Sequence, residues 1–93
     1  MIRSFKCRDT EKVFNYQRTL ARSEPVRKAA LRRLYALDAE TNLLDLRSPP
    51  ANRLEKLRGD HAGQYSIRVN DQWRICFEWR DGHAWNVEIV DYH

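Results

Sequence analysis

The residues whose types could do chemistry together are two arginines, Arg68 and Arg74, a carboxylate, Glu55, set between Arg53 and Lys56, and a closing Asp91-Tyr92-His93. The planar guanidinium fork matches phosphate oxygens. Arg74 therefore reads either as a phosphate clamp or as a sheet arginine neutralised by Glu78 or Glu88. An imidazole with a pKa near roughly 6.5 can give or take a proton at neutral pH. His93 is either such a group or an idle terminal residue, although it follows directly from an apolar strand pattern. Glu55 is either a base or a paired surface charge, and His61 and His83, both in turns, read as solvated. The sequence has no P-loop, no glycine-rich dinucleotide fingerprint and no metal-ligand spacing, so any catalysis is expected to need neither cofactor nor metal. Metal-free RNA cleavage suits this inventory. A base takes the ribose 2′-OH proton, a cation stabilises the phosphorane charge, and an acid protonates the leaving 5′-oxygen.

Positioning these groups falls to the stretch QYSIRVNDQWRICFEW, Gln64 to Trp79. Apolar and polar residues alternate through two runs around a polar break at Asn70-Asp71-Gln72, the pattern of a β-hairpin. Tyr65, Ile67 and Val69 share a face with Trp73, Ile75, Phe77 and Trp79 only if opposed residue numbers sum to an even value, because a one-residue slip swaps the faces. A loop over residues 70–72 meets that condition. It sets Val69 opposite Trp73, Ile67 opposite Ile75, and Arg68 opposite Arg74 on the other face. Directly opposed like charges cost rather than stabilise, so this arginine pair is a candidate anion site.

The same reasoning applies to the turn at Asp81-Gly82-His83. A two-residue loop would set Phe77 against Asn86 and Ile75 against Glu88. A loop of odd length sets Trp79 on Trp85, Phe77 on Val87 and Ile75 on Ile89, which makes one apolar face and is the register expected. It also places Val90 opposite Arg74, with Tyr92 a diagonal step away. Arg68, Arg74 and Tyr92 are then displayed on the open side of the sheet.

Before the hairpin, the short alternating run Ile2 to Cys7 predicts a first strand. Asp9-Thr10 can cap a helix running to about Thr19. Ser23-Glu24-Pro25 restarts the chain as a cap with proline in the first turn, and Val26, Ala30, Leu34 and Leu37 give the second helix one apolar face to about Ala39. Lys28 and Arg32 point away from that face, towards solvent or a partner. Leu43, Leu44 and Leu46 predict a loop pinned to the core, and Ser48-Pro49-Pro50 ends any helix there. A short strand is expected within NRLEKLRGDHAG, followed by a turn at Gly59-Asp60 or Ala62-Gly63. The fold class is α+β: two N-terminal helices packed on one face of a small, mainly antiparallel sheet, in a single domain over residues 1–93.

At 93 residues, with 42% hydrophobic residues and 32% charged ones, the chain can bury one modest core. No apolar run approaches the roughly 20 residues of a membrane helix, and the start lacks the apolar centre of a signal peptide. A cytoplasmic protein is expected, with no membrane partner. Cys7 and Cys76 read as reduced thiols in strands. The net charge of +4 is uneven. Residues 1–58 carry 14 Lys/Arg and 7 Asp/Glu, net +7, whereas residues 59–93 carry 3 and 6, net −3. A basic first part suits a polyanion, although solvated helix faces give the same count.

Taken together, IRSF at the start, RSPPANRLEKLRGDHAGQYSIRVNDQWRICFEW in the middle and VEIVDYH at the end are specific. Over essentially its whole length the chain resembles the HigB toxins, the "host inhibition of growth" or plasmid-maintenance killer family within the RelE/ParE superfamily. The resemblance implies a RelE/ParE-like fold and a ribosome-dependent, metal-independent mRNA endonuclease that cuts message in the ribosomal A site. It also implies a HigA-type helix-turn-helix antitoxin that binds the toxin and represses the operon, so that DNA is met only through that complex. Carried over residue by residue, it assigns the scissile phosphate to Arg74, the active site to Asp91, Tyr92 and His93, with the histidine as general acid or base, and an RNA contact to Arg58. Arg53, Lys56 and Arg68 complete the RNA-binding candidates. Some family members have a second active-site histidine where this chain has Glu55. A carboxylate can act as a base there, but it repels phosphate. Two other readings stand beside this one: a ParE-like toxin that binds a protein target such as gyrase, and a plain RNA- or ribosome-binding module.

Overall fold

The turn between the two central strands is made by Asn70, whose Oδ1 accepts hydrogen bonds from the backbone N–H of Gln72 at 2.9 Å and of Trp73 at 2.8 Å. A side chain that satisfies its own turn in this way fixes the loop length, and with it the register. Val69 N–H reaches Trp73 O at 2.9 Å, and the pairs Ile67–Ile75 and Arg68–Arg74 follow. The hairpin is the one the alternation predicts. A computed structural model describes residues 1–15, 24–48, 50–57 and 63–91. Among them are four antiparallel strands in the order β1 (Glu55–Lys56), β2 (Gln64–Arg68), β3 (Trp73–Arg80) and β4 (His83–Asp91).

The second turn departs from expectation in an informative way. It has two residues, not an odd number: Arg80 pairs with His83, and Asp81 and Gly82 both take positive φ, 55° and 77°. Such mirror-image turns match the twist of the flanking strands. They set Glu78 opposite Trp85 and Trp79 opposite Ala84, correcting the expected Trp79–Trp85 pair. A β-bulge then restores the register, with Asn86 (φ 51°) and Val87 together opposing Phe77, so that Ile75 meets Ile89 and Arg74 meets Val90 as expected. The inserted residue switches the parity of β4. Ala84, Val87 and Ile89 are buried, while Trp85 turns outward and lies under the Arg80 guanidinium at 4.7 Å.

The bulge also accounts for the missing first strand. Residues 2–5 run parallel to β4 but pair only as isolated bridges, Ile2–Ala84 and Phe5–Val87, because the bulge interrupts the ladder between them. Cys7 lies in no strand. Its extended backbone and its Sγ, which accepts from Thr10 N–H, cap helix α1 (Arg8–Phe14) in place of the expected Asp9-Thr10. Thr10 is instead buried, and its hydroxyl accepts from Ile89 N–H at 2.9 Å, tying the helix to β4. The part of this expected helix beyond Asn15, up to Thr19, lies outside the described residues.

Helix α2 (Glu24–Ala39) ends where the spacing predicts, with Pro25 in its first turn. Ala30, Leu34 and Leu37 are fully buried against Ile67, Ile75, Phe77 and Val87. Full burial of a leucine side chain contributes roughly 1.5–3 kcal/mol, so Leu34 and Leu37 make α2 the main cover of the sheet. Lys28 and Arg32 are exposed. After α2, Leu43–Arg47 forms a 3₁₀ turn, not a loop; Leu46 is buried but Leu44 is 55% exposed and does not pin the core. The buried amide of Asn52 donates to Leu46 O at 3.1 Å and to Ser48 O at 3.4 Å, which ties Leu46 and Ser48 to the segment that leads into β1. Among the described residues, no helix is long and apolar enough to cross a membrane.

Candidate functional site

Arg74 stands in β3 on the face away from the helices, but it is not displayed there. The residue is only 7% exposed. Chain from β1 and just before it closes over the guanidinium. Nε donates to Ser66 Oγ at 2.8 Å, and Nη2 donates to Arg53 O at 2.6 Å and to Ser66 O at 3.3 Å. Nη1 lies 3.8 Å from Glu55 Oε1. The expectation of an exposed Arg74 is therefore corrected: alternation fixes the face of a residue, whereas its cover comes from a segment twenty residues away in sequence.

Two acidic residues expected near Arg74 are engaged elsewhere. Glu78 accepts from Asn86 Nδ2 at 2.6 Å, and Glu88 pairs with Lys6 at 3.7 Å. Glu55 instead stands at Arg74, because β1 pairs antiparallel with β2 and sets Glu55 opposite Ser66. Arg68, directly opposite Arg74, swings its own guanidinium to Asp71 in the turn. Its backbone O accepts from Arg33 Nε of α2 at 3.1 Å. Burial, with Arg32 and Arg68 close by, lowers the pKa of Arg33. The cost of two facing arginines is thus relieved by splaying them apart, one to Asp71 and one to Ser66 and Glu55.

Arg53, Glu55, Arg68, Asn70, Asp71 and Arg74 line a cleft of about 200 Å³. That is smaller than the roughly 300–1,000 Å³ typical of small-molecule pockets. Lys56 is exposed in β1 and, by strand alternation, faces away from Glu55; it does not line the cleft. Asp91 ends β4 opposite Trp73 and accepts from Gln72 Nε2 at 3.2 Å, also outside the cleft lining. Arg58, Tyr92 and His93 lie outside the described residues.

Sequence reasoning passed over Ser66, Asn70 and Asp71. For Ser66 the signal was available. The register that opposes Arg68 to Arg74 puts Ser66 on the same face, one diagonal step from Arg74, and a small hydroxyl there is a natural partner for a long guanidinium. Cys76, also on this face, is a free thiol whose pKa burial pushes up; Glu88 adds to that shift, and Arg74 and Lys6 oppose it. Among the described residues, no three His, Cys, Asp or Glu side chains gather where they could hold a metal ion. What the cleft offers is an oriented cation with a carboxylate beside it: anion binding, with a proton acceptor within reach.

Comparison with known proteins adds to this geometry. The family model described as "RelE-like toxin of type II toxin-antitoxin system HigB" matches residues 3–93. Toxin HigB-1 of Vibrio cholerae serotype O1 is 49% identical over 64 residues, 69% of this chain and 67% of that protein. Endoribonuclease HigB of Proteus vulgaris is 38% identical over 61 residues, 66% of this chain and 65% of that one. The chain therefore aligns with about two thirds of each relative. In three dimensions it is similar to a chain of the heterotetrameric YoeB–YefM toxin–antitoxin complex from Staphylococcus aureus, with a TM-score of 0.56 at 18% identity, covering 100% of this chain and 98% of that one. This last likeness is one of fold, and it agrees with helices over one face of an antiparallel sheet.

Proposed function

The chain belongs to the HigB-like family of RelE-like toxins of type II toxin–antitoxin systems, and from that premise we propose that it is a ribosome-dependent mRNA endonuclease. It cuts message in the cytoplasm and is neutralised by a HigA-type antitoxin. The observation that carries the reading is Arg74, a buried guanidinium held at the cleft with Glu55 at 3.8 Å. In this reading Arg74 binds the scissile phosphate and stabilises the charge that develops on its oxygens. Preorganised donors act strongly because no reorganisation is needed when the charge appears. Glu55 accepts the 2′-OH proton. His93, with Tyr92 and Asp91 beside it, supplies the proton to the leaving 5′-oxygen. Arg53 and Arg68, which line the cleft, contact the RNA backbone together with Arg58. No step requires a metal ion or an organic cofactor.

Toeprinting or primer extension on translated message tests this directly. The protein is expected to produce cuts within ribosome-bound message. Arg74→Ala lowers their rate on the order of 10²–10³-fold, as removal of a preorganised donor does, and abolishes growth inhibition while antitoxin binding persists. Because Arg74 is buried, Arg74→Lys, which keeps the stem and a charge but loses the fork, is the control for loss of fold. Deleting His93 costs about 10²–10⁴-fold. If both changes leave a folded protein as toxic as the parent, the nuclease reading falls and a toxin that acts by binding a protein target takes its place.

A further inference from the structure

Resting on that reading of Arg74 as the phosphate-holding cation, we propose that Ser66 is its positioning residue: the Ser66 hydroxyl, with the backbone carbonyl of Arg53, turns the guanidinium so that its Nη1 side faces the cleft. A guanidinium carries five N–H donors, one on Nε and two on each terminal nitrogen. The Nε donor and both Nη2 donors are matched by Ser66 Oγ, Ser66 O and Arg53 O. Acceptors at Nε and at Nη2 fix the rigid plane and with it the direction of Nη1, which is towards Glu55 and the cleft.

Each acceptor is itself fixed. Ser66 is fully buried in β2, and its backbone pairs with Cys76 on one side and with Glu55 on the other. One residue therefore anchors both Arg74, through its side chain, and Glu55, through the ladder. Arg53 reaches Arg74 from a left-handed backbone conformation, φ 44°, which a residue with a Cβ adopts only where the surroundings hold it. Its N–H is bonded to Pro50 O at 3.1 Å, closing the turn that aims the carbonyl inward. Serine is also an unusual choice between Tyr65 and Ile67 at a fully buried strand position, where β-branched and aromatic residues prevail. A buried hydroxyl is kept for its partner.

Two measurements test the assignment. Ser66→Ala removes the Nε acceptor without adding volume. It is expected to lower the single-turnover rate of message cleavage roughly 10- to 100-fold, the rate equivalent of one hydrogen bond to a charged group. Ribosome affinity and antitoxin binding should stay within about twofold. In the parent protein the Arg74 Nε–H should give a resolved, slowly exchanging NMR resonance, and Ser66→Ala should return it to the exchange rate of a solvated arginine. The parent measurement stands whether or not the variant folds. An Arg74 Nε–H that already exchanges freely in the parent would overturn the proposal. So would a folded Ser66→Ala protein that cleaves at the parental rate, or one that loses ribosome affinity as much as rate. If Arg74→Ala is inactive while Ser66→Ala is normal, positioning by Ser66 fails alone. If Arg74→Ala is itself fully active, the cleavage reading fails first.

Discussion

At the scale of single residues, the cleft opposes two demands on Glu55. A carboxylate 3.8 Å from Nη1 stands where, in the proposed reaction, a phosphate would approach Arg74, and it would repel that phosphate, yet in the same proposal it is the proton acceptor. The side chain is 54% exposed, and pairs this open to solvent contribute little to stability, within about 1 kcal/mol. Glu55→Gln should therefore leave the midpoint of urea unfolding nearly unchanged while separating the two demands in kinetics. Message should bind with a lower KM, since the repulsion is gone, and kcat should fall by about 10²–10⁴-fold as the base is lost. Single-turnover cleavage at varied toxin concentration gives both quantities. Faster binding with undiminished cleavage would reduce Glu55 to a surface partner of Arg74 and move the base elsewhere. The arginine pair was legible in the sequence because register is an arithmetic consequence of alternation. The burial of Arg74 was not, because it depends on Arg53 and Glu55 folding across from outside the hairpin.

At the scale of elements, the turn and the bulge of the second hairpin act as one device. A two-residue turn followed by one inserted residue gives the same downstream parity as an odd loop. The alternation of Ile75 with Ile89 could therefore be read correctly from a wrong turn, and only Trp79 and Trp85 betray the difference. The inserted residue is Asn86, at φ 51°, whose Nδ2 also donates to Glu78. Left-handed backbone costs a β-branched residue roughly 1–2 kcal/mol. Asn86→Val should destabilise by at least that much, and Asn86→Gly, which accepts the conformation freely, by less. Urea unfolding of the two variants decides it. Equal losses would mean that the Glu78 contact, not the backbone, makes asparagine useful here. The N-terminal run was misread for the same reason. Its alternation is real, but the bulge on its partner leaves room for two bridges and no ladder.

At the scale of the whole molecule, an antitoxin could neutralise such a protein either by covering it or by holding it unfolded, and the architecture argues for the first. The described core joins both helices to three strands, with Leu34, Leu37, Ile67, Ile75 and Phe77 at 0–1% exposure. The radius of gyration is 12.1 Å, against roughly 12 Å for a compact chain of this length. The outer edge of β4 is already engaged by the residue 2–5 segment, and β1 at the other edge is only two residues long. Neither edge therefore needs a partner's strand to complete the sheet. The Arg74→Lys protein, purified away from its antitoxin, should accordingly unfold on heating in one cooperative transition, with an enthalpy on the order of 60 kcal/mol near its midpoint. Its near-ultraviolet circular dichroism should show fixed tryptophans, since Trp73 and Trp79 pack against the core. Adding antitoxin should raise the midpoint by mass action and leave that tryptophan signal in place. A free toxin with secondary structure but no near-ultraviolet signal, strong dye binding and no cooperative transition would show instead that the antitoxin completes the fold.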